Sequence, residues 1–466
     1  MKSKTSAWIA LALLVVPMFA SYFFDDMFSS VSQLFSHPEL LELGWDSADY
    51  GFYAGGYSFL CVWGGLIFCG MLLDKWGVRV TGSIFVGMMA LGAAMVTGAI
   101  SAGLAPKVSL TVAYIGCMLF GLGSEIAGVA VTRSIAKWFK DGPMALAMGL
   151  QLAIARLGTA AALLLSPVLI AENAPGEIYT LSQTNRPALV GLSLLLLGGV
   201  LWAVFVAMDA RFDRAMGRGG ASCGETERAE GVSSEVEAIE SQDTAKEADK
   251  DDKFRFSDIF KILGNRRFVM IALLCVFFYC CIISFKKFAT SILIPRFGIP
   301  AESASVMLSM IPFFTVVFAP LFGLLVDKVG KGPRWMISGA VLVLIAHLMI
   351  AFAPASVTLS GETVSCSFLG YIAIGILGVG YSLLPAAMWP TVPKIVPEKN
   401  LGTAYSLIYW IQNIGLMTVP VVVGGIFKRS SGLEAAMSSE YIFISLAAVA
   451  ILISVLFALT ERKRTA

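Results

Sequence analysis

Twelve long apolar runs, in two sets of six, dictate what this chain can fold into. An α-helix rises about 1.5 Å per residue, so about 20 apolar residues cross the hydrocarbon core of a bilayer. Runs of that length lie at 7–34, 49–73, 79–101, 107–137, 143–170 and 187–208, then at 267–293, 303–326, 334–353, 365–392, 401–427 and 439–460. In lipid the backbone must satisfy its own hydrogen bonds, which leaves helices for runs this long. Composition agrees: 57% of residues are hydrophobic and 14% charged, against about 25% charged in soluble chains. The expectation is an all-α integral membrane protein with twelve transmembrane helices in two six-helix bundles, 1–208 and 267–466. The linker is 209–266. The opening MKSKTSAW could begin a signal peptide, but the apolar run after it is too long and lacks an A-x-A-like cleavage site. It reads as the first span.

Within the linker, the Glu/Asp/Lys/Ser-rich stretch 219–253 has too few apolar residues to bury and is expected to be disordered. The following SDIFKILGNRRF suits a short amphipathic helix on the membrane surface. Lys and Arg gather near 75–79, 137–140, 328–334 and 394–399, in the linker and in the ERKR tail, whereas SHPELLELGWDSAD (36–49) has none. The positive-inside rule then places both termini in the cytoplasm, with Lys428 and Arg429 on the wrong side. Arg133, Lys137 and Lys140 read as anchoring charges. No acidic dileucine sorting pattern stands near the N-terminus, and a cytoplasmic (inner) membrane is the expected location.

Seven of the eight cysteines lie in apolar runs, with no metal-site or disulfide spacing. There is no Walker loop, no H-E-x-x-H and no nucleophile–base set, and histidines number two. These features argue against an enzyme. The expectations are no cofactor, no metal, no nucleic acid partner, and a monomer handling a small molecule in the lipid bilayer, with protons as a conceivable co-substrate.

Two segments recur. FFDDMFSS (23–30) aligns without a gap on SFKKFATS (284–291 with Phe285 under Phe24), so Asp25 and Asp26 match Lys286 and Lys287. GMLLDKWGVR (70–79) matches GLLVDKVGKGPR (323–334), with Gly70 on Gly323, Asp74 on Asp327, Gly77 on Gly330, and Arg79 on Arg334 after a two-residue insertion. The chain reads as a duplicated six-helix unit, hence two pseudo-symmetric bundles. In each loop the aspartate suits a helix N-terminus and the arginine can pair with the carboxylates.

This doubled loop in a six-plus-six chain resembles the major facilitator superfamily. The resemblance implies secondary transport by alternating access, with Gly70, Asp74, Arg79, Gly323, Asp327 and Arg334 holding the cytoplasmic gate. It also implies that the first helix of each half converges at the outer gate. Asp25/Asp26 and Lys286/Lys287 are then expected to close that gate as ion pairs; the alternative is snorkelling to the interface.

Two further charges lie deeper. Glu125, in CMLFGLGSEIAGVAVTRSIAKWF, and Arg156, in AMGLQLAIARLG, fall near the middle of helices four and five. An acid and a base at equal depth need each other or a polar ligand. Arg156 could clamp a carboxylate while Glu125 accepts from an ammonium; a permanent Glu–Arg bridge is the other reading. The stretch from Glu125 to R-L-G, together with MWPTVPKIVPEKNLGTA (388–404), FFY (277–279) and SYF (21–23), resembles the lysosomal dipeptide transporter branch of the superfamily. That likeness implies substrate contacts at Glu125 and Arg156 and an aromatic lining residue at Trp389. It makes a dipeptide the leading substrate and a small organic anion the next; a non-transporting sensor stands third. Tyr381, Tyr405, Gln412 and Asn413 are further candidate lining residues. The superfamily's helix-four R-x-x-x-G-x-G appears as Cys117-Met-Leu-Phe-Gly121-Leu-Gly123, without the arginine tied to proton coupling in some relatives. His347, alone in its span, reads as a packing residue. Pro17, Pro312 and Pro385 interrupt helices.

Overall fold

A computed structural model describes residues 4–140, 143–224, 256–359, 362–397 and 401–465. Twelve of its helices are long and apolar enough to cross a membrane. In the first half they are α1 (Thr5–Ser36), α2 (Ser47–Leu73), α3 (Lys75–Ser101), α4 (Pro106–Trp138), α5 (Leu146–Ile170) and α6 (Leu181–Arg214). In the second they are α7 (Arg266–Phe297), α8 (Ala301–Val329), α9 (Gly332–Phe352), α10 (Phe368–Lys394), α11 (Thr403–Arg429) and α12 (Gly432–Arg462). Twelve crossings put the start of α1, the end of α6, the start of α7 and the end of α12 on one face, called here the terminal face.

Several helices outrun their apolar cores. The sixth was expected over 187–208, but its helix begins at Leu181 and continues to Gly224; the twelfth begins at Gly432 rather than 439. Hydropathy marks the lipid boundary, whereas a helix ends where its backbone bonds end. The start of the stretch expected to be disordered therefore falls in a helix, and 225–255 lie outside the described residues. A short helix runs over Phe256–Leu263, within the stretch where an amphipathic one was expected. Asn265 then caps α7 by accepting from the Arg267 N–H, and its amide donates to the Ile395 carbonyl at 3.3 Å.

The sequence repeat is also a backbone repeat. Gly77, at a kink in the first turn of α3, and Gly330, between α8 and α9, both take positive φ, 74° and 68°. Only glycine enters that region freely. The helices that carry the two charge pairs are irregular: α1 tightens into 3-10 geometry over Ser29–Ser36, and α7 carries a π turn at Cys280–Ser284 just ahead of Lys286.

On the face opposite the termini, a hairpin pairs Ser356–Leu359 with Glu362–Ser365. There Asp46 caps α2, accepting from the Ala48 and Asp49 N–H groups at 2.8 and 2.9 Å. Lys428, the apparent exception to the charge rule, lies 2.8 Å from Asp46 and so has a partner on that face.

Candidate substrate site and gate

A central cavity of about 1250 Å³ lies between the halves. Its lining runs from Leu73, Arg133, Gly323 and Thr403, towards the terminal face, to Asp25, Asp26, Lys286 and Lys287. Beyond those four charges the halves pack together, α1 on α7, α2 on α11 and α5 on α8. The α2–α11 seam is tight because glycines line it: a Cβ on Gly55 would stand 2.6 Å from the Met417 carbonyl oxygen.

The structure brings the two charge pairs together. Lys286 Nζ is 2.5 Å from Asp26 Oδ2, and Lys287 Nζ is 2.9 Å from Asp25 Oδ1 and 3.2 Å from Asp26 Oδ1. The Asp26 side chain is 1% exposed, each lysine 8% and Asp25 29%. Snorkelling would leave these side chains at the edge, whereas here they interlock. Thr159 and Ser29 donate to the Asp26 carboxylate at 2.8 and 3.2 Å. One turn further on, Ser32 shares hydrogen bonds with Thr290 and Ser291 at 2.9 and 3.0 Å, and Ser305 donates to the Ser30 carbonyl. Two acids and two bases cancel, so this end can close without an unpaired buried charge.

Glu125 and Arg156 behave differently. Both are half-buried and line the cavity, yet no ion pair joins them. Glu125 Oε1 accepts from the Tyr57 hydroxyl at 3.2 Å. The Arg156 guanidinium lies over the Tyr381 ring at 5.1 Å and the Tyr22 ring at 5.7 Å, and its buried Nε has no hydrogen-bond partner. The permanent Glu–Arg bridge is therefore not the arrangement found. The pocket presents an open acceptor and an open donor fork.

The opposite wall is aromatic. Trp389 donates from Nε1 to the Tyr279 hydroxyl at 3.2 Å and stacks on Tyr409 at 5.3 Å, with Tyr405 at 5.9 Å. Gln412 lines the cavity and accepts from the Cys275 thiol at 3.1 Å. Asn413 corrects its expectation: it is 1% exposed, donates to the Tyr409 carbonyl and does not line the cavity. Successive helical residues point about 100° apart, so neighbours rarely share a face. Sequence reading missed Tyr22, Tyr57, Tyr279, Tyr409, Ser21 and Ser124, all of which line the cavity. Among apolar neighbours, tyrosines in a membrane helix look like packing residues.

The doubled loop is only partly arranged as expected. Arg79 pairs with Asp213 at 2.8 Å and Asp209 at 3.4 Å, both on α6, and Lys137 joins the same carboxylates. Sequence spacing suggested the loop aspartates as partners; α6, running past the lipid boundary, supplies these acids instead. Asp327 and Arg334 are exposed and form no ion pair with each other. Gly323 lines the cavity. The side chains of Gly70 and Asp74 lie outside the described residues. His347 packs against Phe285 and Phe443, and its ring is also hydrogen-bonded at both nitrogens.

Two six-helix halves around a polar cavity, closed at one end by charges from both halves, define a membrane transporter. The chain belongs to the Major Facilitator Superfamily, whose family model matches residues 18–356 and 275–466. It is 27% identical over 454 residues to the lysosomal dipeptide transporter MFSD1 of Danio rerio, covering 95% of this chain and 84% of the relative. The Gallus gallus relative of that name is 29% identical over 322 residues, 66% of this chain and 61% of the relative, so that match spans less than two thirds of its length. For the Homo sapiens relative the figures are 27%, 74% and 65%. Among solved structures, the nucleoside transporter NupG aligns with TM-score 0.64 and 12% identity over 96% of this chain and 98% of that one. The structure of tetrameric PepTSo2 aligns with TM-score 0.64 and 14% identity over 99% of this chain and 100% of that one. These two likenesses concern the fold alone.

Proposed function

We propose that this transporter carries a small zwitterionic metabolite, a dipeptide foremost, by alternating access around the Glu125–Arg156 pocket. One observation carries the reading: an acid and a base line the same cavity and are not bonded to each other. A ligand bearing a carboxylate and an ammonium would satisfy both. The planar Arg156 fork suits the carboxylate, and Glu125 would accept from the ammonium. Trp389, Tyr405 and Gln412 would contact the middle of such a ligand. The names of the matched MFSD1 relatives support the same substrate class. A small organic anion would gain from free lysines, but Lys286 and Lys287 are engaged by Asp25 and Asp26, so that alternative draws no support from them.

In this reading Asp25, Asp26, Lys286 and Lys287 are the gate opposite the termini, and the doubled loop with Gly70, Asp74, Arg79, Gly323, Asp327 and Arg334 is the gate on the terminal face. Placing the basic loops in the cytoplasm makes the described state open inward. We place the protein in a cytoplasmic membrane, working as a monomer, since each chain encloses its own cavity. A fluorescent fusion would test the address, which the names of the relatives put in lysosomes for those proteins.

A thermal-shift screen of purified protein against dipeptides, amino acids and organic acids tests the substrate class. Hits would go to liposome uptake with and without a proton gradient, which separates coupled from facilitative transport. Stabilisation and uptake of dipeptides are expected. Stabilisation by organic acids with none by dipeptides would overturn the assignment.

A further inference from the structure

Away from the cavity, α9 and α12 bury a histidine and a glutamate beside α7. His347 and Glu440 are each 0% exposed and neither lines the cavity. His347 Nδ1 lies 2.8 Å from Glu440 Oε2, and its Nε2 lies 3.2 Å from the Cys281 carbonyl oxygen. Phe285 meets the imidazole edge-on and Phe443 stacks on it. Glu440 Oε1 is buried with no partner.

Counting hydrogens fixes what this arrangement holds. A carbonyl oxygen only accepts, so Nε2 must carry a hydrogen. A neutral imidazole has one N–H, which would leave Nδ1 as a bare acceptor facing Oε2. Two bare acceptors repel, so the contact needs a second hydrogen, on Nδ1 or on the carboxyl group. Removing it leaves two faulty arrangements. Either Nδ1 is bare against a carboxylate, or the tautomer switches and Nε2 is bare against the Cys281 carbonyl. The other polar groups facing the pair come from α7 and do not replace that hydrogen. The single Cys281 S–H is within donating distance of the Phe277 carbonyl at 3.1 Å and the Phe443 carbonyl at 3.6 Å. Cys280 lies beside it, and the Arg296 guanidinium is engaged by the Ala351 and Ala353 carbonyls.

Cys281 belongs to the π turn Cys280–Ser284, which runs directly into Lys286 and Lys287. A π turn departs from the regular α ladder, and His347 gives one of its carbonyls a donor. We propose that His347 and Glu440 form an occluded proton-binding site whose bound proton fixes the π turn of α7, and with it the placement of the two gate lysines. The ligand is a proton; the pair positions the lysines through the turn and touches no substrate. The bound proton stabilises the turn at low pH, and that contribution is lost as pH rises and the proton leaves. Only the consequence for gating rests on the reading of the Asp–Lys cluster as a gate.

Hydrogen–deuterium exchange of the full-length protein, followed in peptides spanning 276–290 and corrected for intrinsic rates, tests this by comparing about pH 6 with about pH 9. Wild-type protection is expected to fall about tenfold at the higher pH, the size of one buried polar contact left unmade. Glu440→Gln has an amide that can donate to Nδ1 and no proton to lose, so it should stay protected at both. The double variant His347→Leu/Glu440→Leu removes both polar groups together, leaves no unpaired buried charge, and should show weakened protection at both. Wild-type protection independent of pH, or Glu440→Gln following the wild-type pH dependence, would overturn the proposal. Because the readout is on α7, a failed substrate assignment leaves this result interpretable.

Discussion

The Asp–Lys cluster and the Glu125–Arg156 pocket are both built from ionisable side chains inside membrane helices, and they treat charge in opposite ways. In the cluster, Asp25, Asp26, Lys286 and Lys287 saturate one another across the two halves. In the pocket, Glu125 and Arg156 are held by aromatic neighbours and left without a counter-charge. Burying an ion costs several kcal/mol unless it is paired. Matched pairs therefore hold a shape, whereas an open acid and base on one cavity wall can be completed by cargo. The contrast sorts these charges by function better than burial alone does.

The largest effect should come from breaking the matched cluster. Replacing both aspartates by lysine, or both lysines by aspartate, puts like charges together at a buried site. Each change should abolish liposome uptake and destabilise the protein by about 3–5 kcal/mol. Combining them should restore part of both. A double swap no better than either single swap, in uptake and in thermal melting, would remove the cluster from the gate.

Arg156→Ala sharpens the contrast from the other side. No counter-charge is orphaned, so the melting temperature without ligand should move little. Affinity for a carboxylate ligand should fall about 30- to 100-fold, the size of a lost charged hydrogen-bond set of about 2–3 kcal/mol. Arg156→Lys should recover little of it, lacking the fork. A ligand-free destabilisation as large as that of Asp26→Ala would erase the distinction between the two regions.

Tyr57→Phe is a finer probe. It removes one donor to Glu125 and should weaken binding of a free-amine dipeptide about fivefold, or about 1 kcal/mol. An N-acetylated dipeptide should be less affected in the same thermal-shift assay.

The smallest effects belong to the exposed tie between halves. Lys428→Ala should cost under about 1 kcal/mol, as surface pairs do, while Asp46→Ala should cost about 1 kcal/mol through the lost cap. Burial works to raise the Asp46 carboxyl, but the Lys428 hydrogen bond and the Asp49 and Ala48 N–H groups hold it below its usual value. A depressed carboxyl stabilises the fold above its unfolded value of about 3.9. That contribution is lost as pH falls through the lower folded value, which melting curves of wild type and Asp46→Ala in acid would register.

Legibility in the sequence followed the rarity of each residue in lipid. Asp25, Glu125, Arg156 and Lys286 stood out because charge in an apolar run is costly. Tyr22, Tyr57, Tyr279 and Tyr409 did not, because a phenol ring is as much core as cavity until its neighbours are known. Gln412 and Asn413 looked alike as adjacent polar residues, and only the rotation of α11 turned one to the cavity and the other away. Glu440 sat at the edge of its expected span, 93 positions from His347. Neither gave reason to look for the other.

By itself the sequence determined twelve spans, a duplicated half and which residues bring charge into the membrane, because hydropathy and repetition are properties of a chain read in order. The tertiary structure alone decided partnership: Lys286 and Lys287 with Asp25 and Asp26, Arg79 with acids from α6, His347 with Glu440, and Glu125 and Arg156 with neither each other nor another ion. Pairing depends on distances of a few ångströms between residues remote in sequence, and those are set by how the helices pack.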